Sequence, residues 1–166
     1  MLQQVVQRIM RIVTLDTAVY EEIQNDQAAN LEVALIVLVS SLLAAVGAAA
    51  GSEGFVGAFL IRLVAGILLN WLLWSYVTLF VGTRLFGGQG SFMGMARALG
   101  YASAPRALGI LGIFGCLGGL VGVAGWALSL VAGFLATRET LELSTEKAII
   151  TVAIGWVLVL LVTILL

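Results

Sequence analysis

Apolar residues fall in this chain in two ways: on one helical face near the start, then in long blocks to the end. Leu2, Val5, Val6, Ile9, Ile12 and Val13 share the first face, with Gln3, Gln4, Gln7, Arg8 and Arg11 opposite. Two placements fit such a helix. It lies in the membrane interface with its arginines near lipid phosphates, or it docks on the protein's own loops. An uninterrupted apolar core and a small-residue cleavage site are both missing, so no signal peptide is expected there. A second short helix follows, with Asp16 or Thr17 as its cap and acidic residues suited to its dipole. Glu21, Glu22, Asp26 and Glu32 read as a solvated face.

The blocks predict an all-α polytopic membrane bundle of five transmembrane helices. The spans run at about 33–50, 55–81, 93–113, 117–136 and 148–166. Residues 1–30 form a cytoplasmic or interfacial amphipathic segment, and residues 31–166 the five-helix domain. Gly51-Ser52-Glu53-Gly54 is a tight turn, Ser91 caps the third span, and Ser144 caps the fifth. Small residues repeat every four positions at Ser40, Ala44 and Ala48, at Ala96, Gly100 and Ala104, and at Gly125, Ser129 and Gly133. Such faces let helix backbones approach closely. Pro105 removes a hydrogen bond to the Tyr101 carbonyl, so a kink is expected, packed against protein rather than lipid.

The boundary near Gly109–Gly122 carries six glycines and no charge. An alternative makes Gly90–Pro105 interfacial and Leu108–Ala136 one long crossing. Charge favours five spans, because Arg8, Arg11, Arg84, Arg97, Arg138 and Lys147 then share one side. The positive-inside rule puts that side, and the N-terminus, in the cytoplasm and the C-terminus outside.

Composition agrees with the blocks. Charged residues are 10% of the chain and apolar ones 61%, against roughly a quarter charged in soluble domains. A net charge of −1 gives no basic surface for nucleic acid. With no histidine and one cysteine, Cys116, histidine-based triads, histidine-ligated haem or zinc sites and intramolecular disulfides are excluded. Gly87-Gly88-Gln89-Gly90-Ser91 lacks the lysine of a phosphate-binding loop. Catalytic, metal and cofactor-binding residues are expected to be none.

Leu99-Gly100-Tyr101 followed by Pro105, after Gly90-Ser91-Phe92, resembles the "GY…P" third-helix signature of the YIP-domain family, the Ypt/Rab-interacting multi-pass membrane proteins. Ser144-Thr145-Glu146-Lys147-Ala148 and Tyr20-Glu21-Glu22-Ile23 are similar to the prokaryotic branch. The resemblance implies five spans, a cytosolic N-terminus and almost no tail outside. The acidic-Leu-Tyr-Gly-Pro motif of eukaryotic members is missing, with Asp16–Tyr20 at most a remnant, so a GTPase partner is not implied.

Three intramembrane polar residues remain. An arginine at a span centre costs about 2.5–3.5 kcal/mol on insertion scales. Arg62 and Arg106 are expected at matching depth in the outer half, either snorkelling or facing one another around an anionic lipid or ligand. Asn70 is expected to bond between helices. The expected function is a non-enzymatic scaffold or accessory subunit in a bacterial cytoplasmic membrane. It would bind lipids, other integral membrane proteins or a second copy of itself. The alternative is a small transporter or channel using Arg62, Asn70 and Arg106.

Overall fold

The computed structural model of the chain describes residues 2–165, so the last residue of the fifth expected span, Leu166, lies outside the described residues. Among them, the regular elements are all helical. They are α1 (Leu2–Val13), α2 (Ala18–Asn25), α3 (Ala29–Ala49), α4 (Phe55–Ile67), α5 (Trp74–Phe86), α6 (Phe92–Ala102), α7 (Gly115–Thr140) and α8 (Thr145–Leu165). A π-helical segment, Leu68–Leu73, joins α4 to α5 without a break, and a 3-10 segment, Ala104–Phe114, extends α6.

Four continuous stretches are long and apolar enough to cross a membrane: Ala29–Ala49, Phe55–Phe86, Phe92–Thr140 and Thr145–Val162. The third is not straight. It doubles back at Gly115, whose φ of 70° and ψ of −142° suit a residue without a Cβ. Beyond the turn the two limbs pair in reverse order. Ser129 Oγ donates to the Ala102 carbonyl at 2.7 Å. A Cβ on Gly125 would lie 2.6 Å from the Pro105 carbonyl oxygen, and one on Gly118 would overlap the Leu111 carbonyl. The apolar part therefore consists of five rods, and one long crossing from Leu108 to Ala136 fails at Gly115.

Lengths explain why the limbs match. Eleven α residues at 1.5 Å and eleven 3-10 residues at 2.0 Å give α6 and its extension roughly 38 Å. The 26 residues of α7 give about 39 Å. The kink expected at Pro105 is this change of helix type, with proline in the first turn of the 3-10 segment. Carbonyls loosened around it find partners within the protein: Gly100 accepts from Ser103 Oγ at 2.6 Å, and Ala102 from Ser129. Nine consecutive residues of α6, Gly94–Ala102, are buried.

Several expected boundaries shift. The first rod starts at Ala29 rather than Val33, the second continues to Phe86, and the fifth starts at Thr145. Ser91 caps α6 as expected, accepting from Gly94 N–H at 3.0 Å. Asp16 rather than Thr17 caps α2, accepting from Ala18 N–H.

The two short N-terminal helices join the same core. Ile12, Val19, Tyr20 and Ile23 are fully buried in a cluster with Met95, Leu99, Ala132, Ala136 and Leu141. They form a collar over the end where α3 and α6 begin and α7 finishes. Arg97 ties that end together, donating from Nε to Asn30 Oδ1 and from Nη1 to the Gln24 carbonyl, both at 2.7 Å.

Cys116 stands exposed just after the Gly115 turn, at the end opposite the collar. With the collar cytoplasmic, a membrane-impermeant maleimide should label intact cells through Cys116 and leave Cys116→Ser unlabelled. Labelling only after the inner compartment is opened would reverse that orientation.

Candidate functional site

Arg8 is where α1 enters the fold. It sits among Val5, Ile9 and Ile12 on the inward stripe, and is only 6% exposed. A buried guanidinium needs several acceptors. Three acidic residues supply them: Glu22 of α2, Asp26 at its C-cap and Glu32 of α3. Nη1 donates to Glu32 Oε2 at 2.9 Å, Nη2 to Asp26 Oδ2 at 2.7 Å, and Nε to Glu22 Oε1 at 3.2 Å. Tyr101 Oη donates to the same Glu32 oxygen at 2.5 Å, and the Arg8 guanidinium lies 6.0 Å from the Tyr101 ring centre. At the rim, Arg11 pairs with Asp16 and Glu22. The sequence reading of Glu22, Asp26 and Glu32 as a solvated face is corrected here: they converge on one arginine, and Glu32 is buried. The docked placement of α1 is the observed one for Arg8.

Burial alone would disfavour charge on Arg8, but its bonds to Asp26 and Glu22 outweigh this and raise its pKa. The Arg8 bond holds the Asp26 carboxyl below its usual range, and Arg11, then Arg8, do the same for Glu22. Burial pushes the Tyr20 phenol up, so it stays neutral.

The other polar site lies inside the bundle. Arg106, in the first turns of the 3-10 segment, lines two cavities. The smaller, about 30 Å³, is shared with Asn70, Trp74, Trp126, Ser129 and Trp156. That is room for a water or two. The larger, about 390 Å³, is a cleft walled by Ala44, Gly47 and Ala48 of α3, Gly109 and Gly112, and Gly119, Gly122 and Val123 of α7. Among the described residues, the Arg106 guanidinium has no hydrogen-bond or ion-pair partner. Trp74 Nε1, at the smaller cavity, is likewise buried without an acceptor.

Arg62 and Arg106 are not brought together. Arg62 is exposed on α4 and lines neither cavity. The matching depth expected for them also fails, because the 3-10 rise is longer. Arg106 lies roughly 16 Å from Phe114, whereas Arg62 lies about 10 Å from Phe55. On α4, Gly66 is close to Arg106: a Cβ there would stand 3.9 Å from Nη2. Asn70 bonds its own helix, donating to the Ala65 carbonyl at 3.4 Å; Trp71 makes the cross-helix bond, to the Ala96 carbonyl at 2.8 Å.

The small-residue faces are taken up by packing within the chain. Gly100 receives Val33, Val37 and Trp71, Gly125 meets Pro105 and Leu108, and Gly133 meets Trp74 at 2.6 Å from a would-be Cβ. Ala96 is buried with Gly100, while Ala104 is half-buried. Sequence reasoning missed Tyr101 and the Arg8 cluster. The signal for the latter was Arg8 at the edge of the polar face, one helical turn from both Val5 and Ile12, and a glutamate opening the first span.

Five apolar rods under a docked amphipathic collar define an integral membrane protein of the helical-bundle class. The Yip1 domain model matches residues 10–166, nearly the whole chain, and the protein belongs to that family. No curated protein and no solved structure matches it.

Because Asp26 and Glu22 are depressed below ordinary values of 3.8 and 4.5, their stabilisation is complete above those values and disappears as pH falls through the folded ones. Hydrogen exchange in α1 and α2 should therefore accelerate below about pH 4, beyond the intrinsic rate change, while α6 and α7 stay protected. Arg8→Met leaves Glu32 buried without its cation and should cost about 3 kcal/mol in thermal or denaturant unfolding. Unchanged collar protection to pH 3 would show that apolar contacts alone hold it.

Proposed function

We propose that this chain is a non-enzymatic scaffold or accessory subunit of a bacterial cytoplasmic membrane, working by binding membrane proteins or lipids, with its collar on the cytoplasmic side. The observation that carries the reading is the outer face of α1. Arg8, Val5, Ile9 and Ile12 hold the helix from within, while Leu2, Val6, Met10 and Val13 point outward at 77%, 52%, 59% and 41% exposure. An apolar stripe locked in place by ion pairs is a contact surface for a membrane or a partner's helix. The chemical inventory supports it as well. The sequence has no histidine and one cysteine. Arg106 with Asn70 keeps a small-transporter reading in view, but the cavity they share is about 30 Å³.

Purification in mild detergent should bring a partner with the wild-type chain. Val6→Gln with Met10→Gln should lower partner yield or vesicle attachment several-fold while melting within a few degrees of wild type, since exposed substitutions shift stability little. A wild-type chain that purifies alone and moves a solute into liposomes would overturn the scaffold reading.

A further inference from the structure

Arg106 is a cation near the middle of the bundle, and the cleft beside it leads away toward one end. Gly109 and Gly112 lie outward of Arg106 on the 3-10 segment, Gly119 and Gly122 outward of Trp126 on α7, and Gly47 and Ala48 at the far end of α3. From Arg106 to Gly112 is roughly 12 Å at the 3-10 rise. The cleft is therefore a slot from the Cys116 end of the bundle to a guanidinium about halfway along the rod. Its volume, about 390 Å³, falls in the range of ligand sites.

We propose that this slot admits a phospholipid headgroup and that Arg106 holds its phosphate. Three observations on the page point to that chemistry. The guanidinium has five donors and no protein acceptor among the described residues, so its ligand is an oxyanion, which guanidinium binds in bidentate fashion. Counter-charge is distant: Glu53, in the turn between α3 and α4, is the one acidic residue at that end of the sequence pattern, and it is exposed. Val123, which lines the slot, is an exposed apolar side chain, and Ile113 and Phe114, next in sequence to Gly112 at the slot's outer end, are exposed as well, a surface for acyl chains rather than for water. A lipid places its phosphate at the slot while its tails remain on that surface. A free phosphate would have to enter fully desolvated. The slot is open on its α7 side, since Gly119 faces open space where a side chain would stand.

The proposal rests on the reading of the chain as a binder rather than an enzyme. It is tested on the purified full chain in neutral detergent, by thermal shift and native mass spectrometry. The probes are phosphatidylglycerol, diacylglycerol with the same tails, and inorganic phosphate. Phosphatidylglycerol should bind and raise the melting temperature, diacylglycerol should not, and inorganic phosphate should be at least tenfold weaker. Arg106→Gln should weaken the phosphatidylglycerol effect at least tenfold, Arg106→Lys should retain part of it, and Arg62→Gln should leave it unchanged. Gly119→Leu projects into open space, so it should fold normally and still reduce binding by narrowing the slot; it decides the matter if Arg106→Gln does not fold. Equal response to diacylglycerol, equal response to inorganic phosphate, or full binding by Arg106→Gln or Gly119→Leu would each overturn the headgroup site. If a protein partner still co-purifies in those cases, the scaffold reading stands without it.

Discussion

Backbone-to-backbone contact among α3, the α6 rod and α7 is the interaction on which the rest of the fold depends. A Cβ on Gly47 would overlap the Gly109 carbonyl, one on Gly112 would lie 2.9 Å from the Gly47 carbonyl oxygen, and Gly118 and Gly125 lie equally close to the other limb. In lipid, helices gain no hydrophobic free energy from one another, so close van der Waals approach must hold them. That approach also lets a 3-10 segment persist for eleven residues, far beyond its usual few. Packed between Ala44, Gly47 and Ala48 of α3 and the glycines of α7, its irregular backbone is shielded from hydrocarbon. The slot beside Arg106 borders this contact and opens on the α7 side, where Gly119 has no neighbour.

The collar is a second layer resting on the first. Glu32 opens α3 and Tyr101 lies near the end of α6, so the Glu32 oxygen that accepts from both Arg8 and Tyr101 is fixed only once those two rods are side by side. The "GY…P" signature thereby gains a physical reading in this chain. Gly100 admits Val33 and Trp71, Tyr101 fixes Glu32, and Pro105 begins the tighter helix. Three adjacent functions explain why such a short run of residues can mark a fold.

Apolar block lengths, small-residue spacing and charge asymmetry made the membrane class, the rods and the position of their turns legible from sequence. The Gly115 turn was harder, because six glycines offered equivalent places to fold back and no charge chose among them. Helix type was not legible at all. A 3-10 segment has no distinctive apolar period over eleven residues, and missing it misplaced Arg106 by several ångströms relative to Arg62. The acidic cluster was misread for another reason: Glu22, Asp26 and Glu32 are separated along the chain and join only through α1, which no local pattern encodes.

The π segment at Leu68–Leu73 has a consequence for how the second rod belongs to the bundle. Each i→i+5 turn accommodates one residue more than an α turn, which rotates everything beyond it by about 100°. The rod therefore has two phases. Before the insertion it presents Gly66 to Ser41 of α3; after it, it presents Thr78 to Gly155 of α8 and Gly82 to Leu141 and Thr151. A single ideal helix could satisfy only one of these neighbours with one stripe. Removing one residue from Leu68–Leu73 would re-phase the rod, turning either the α3 seam or the α8 seam out to lipid, although every side chain that packs in those seams would still be present.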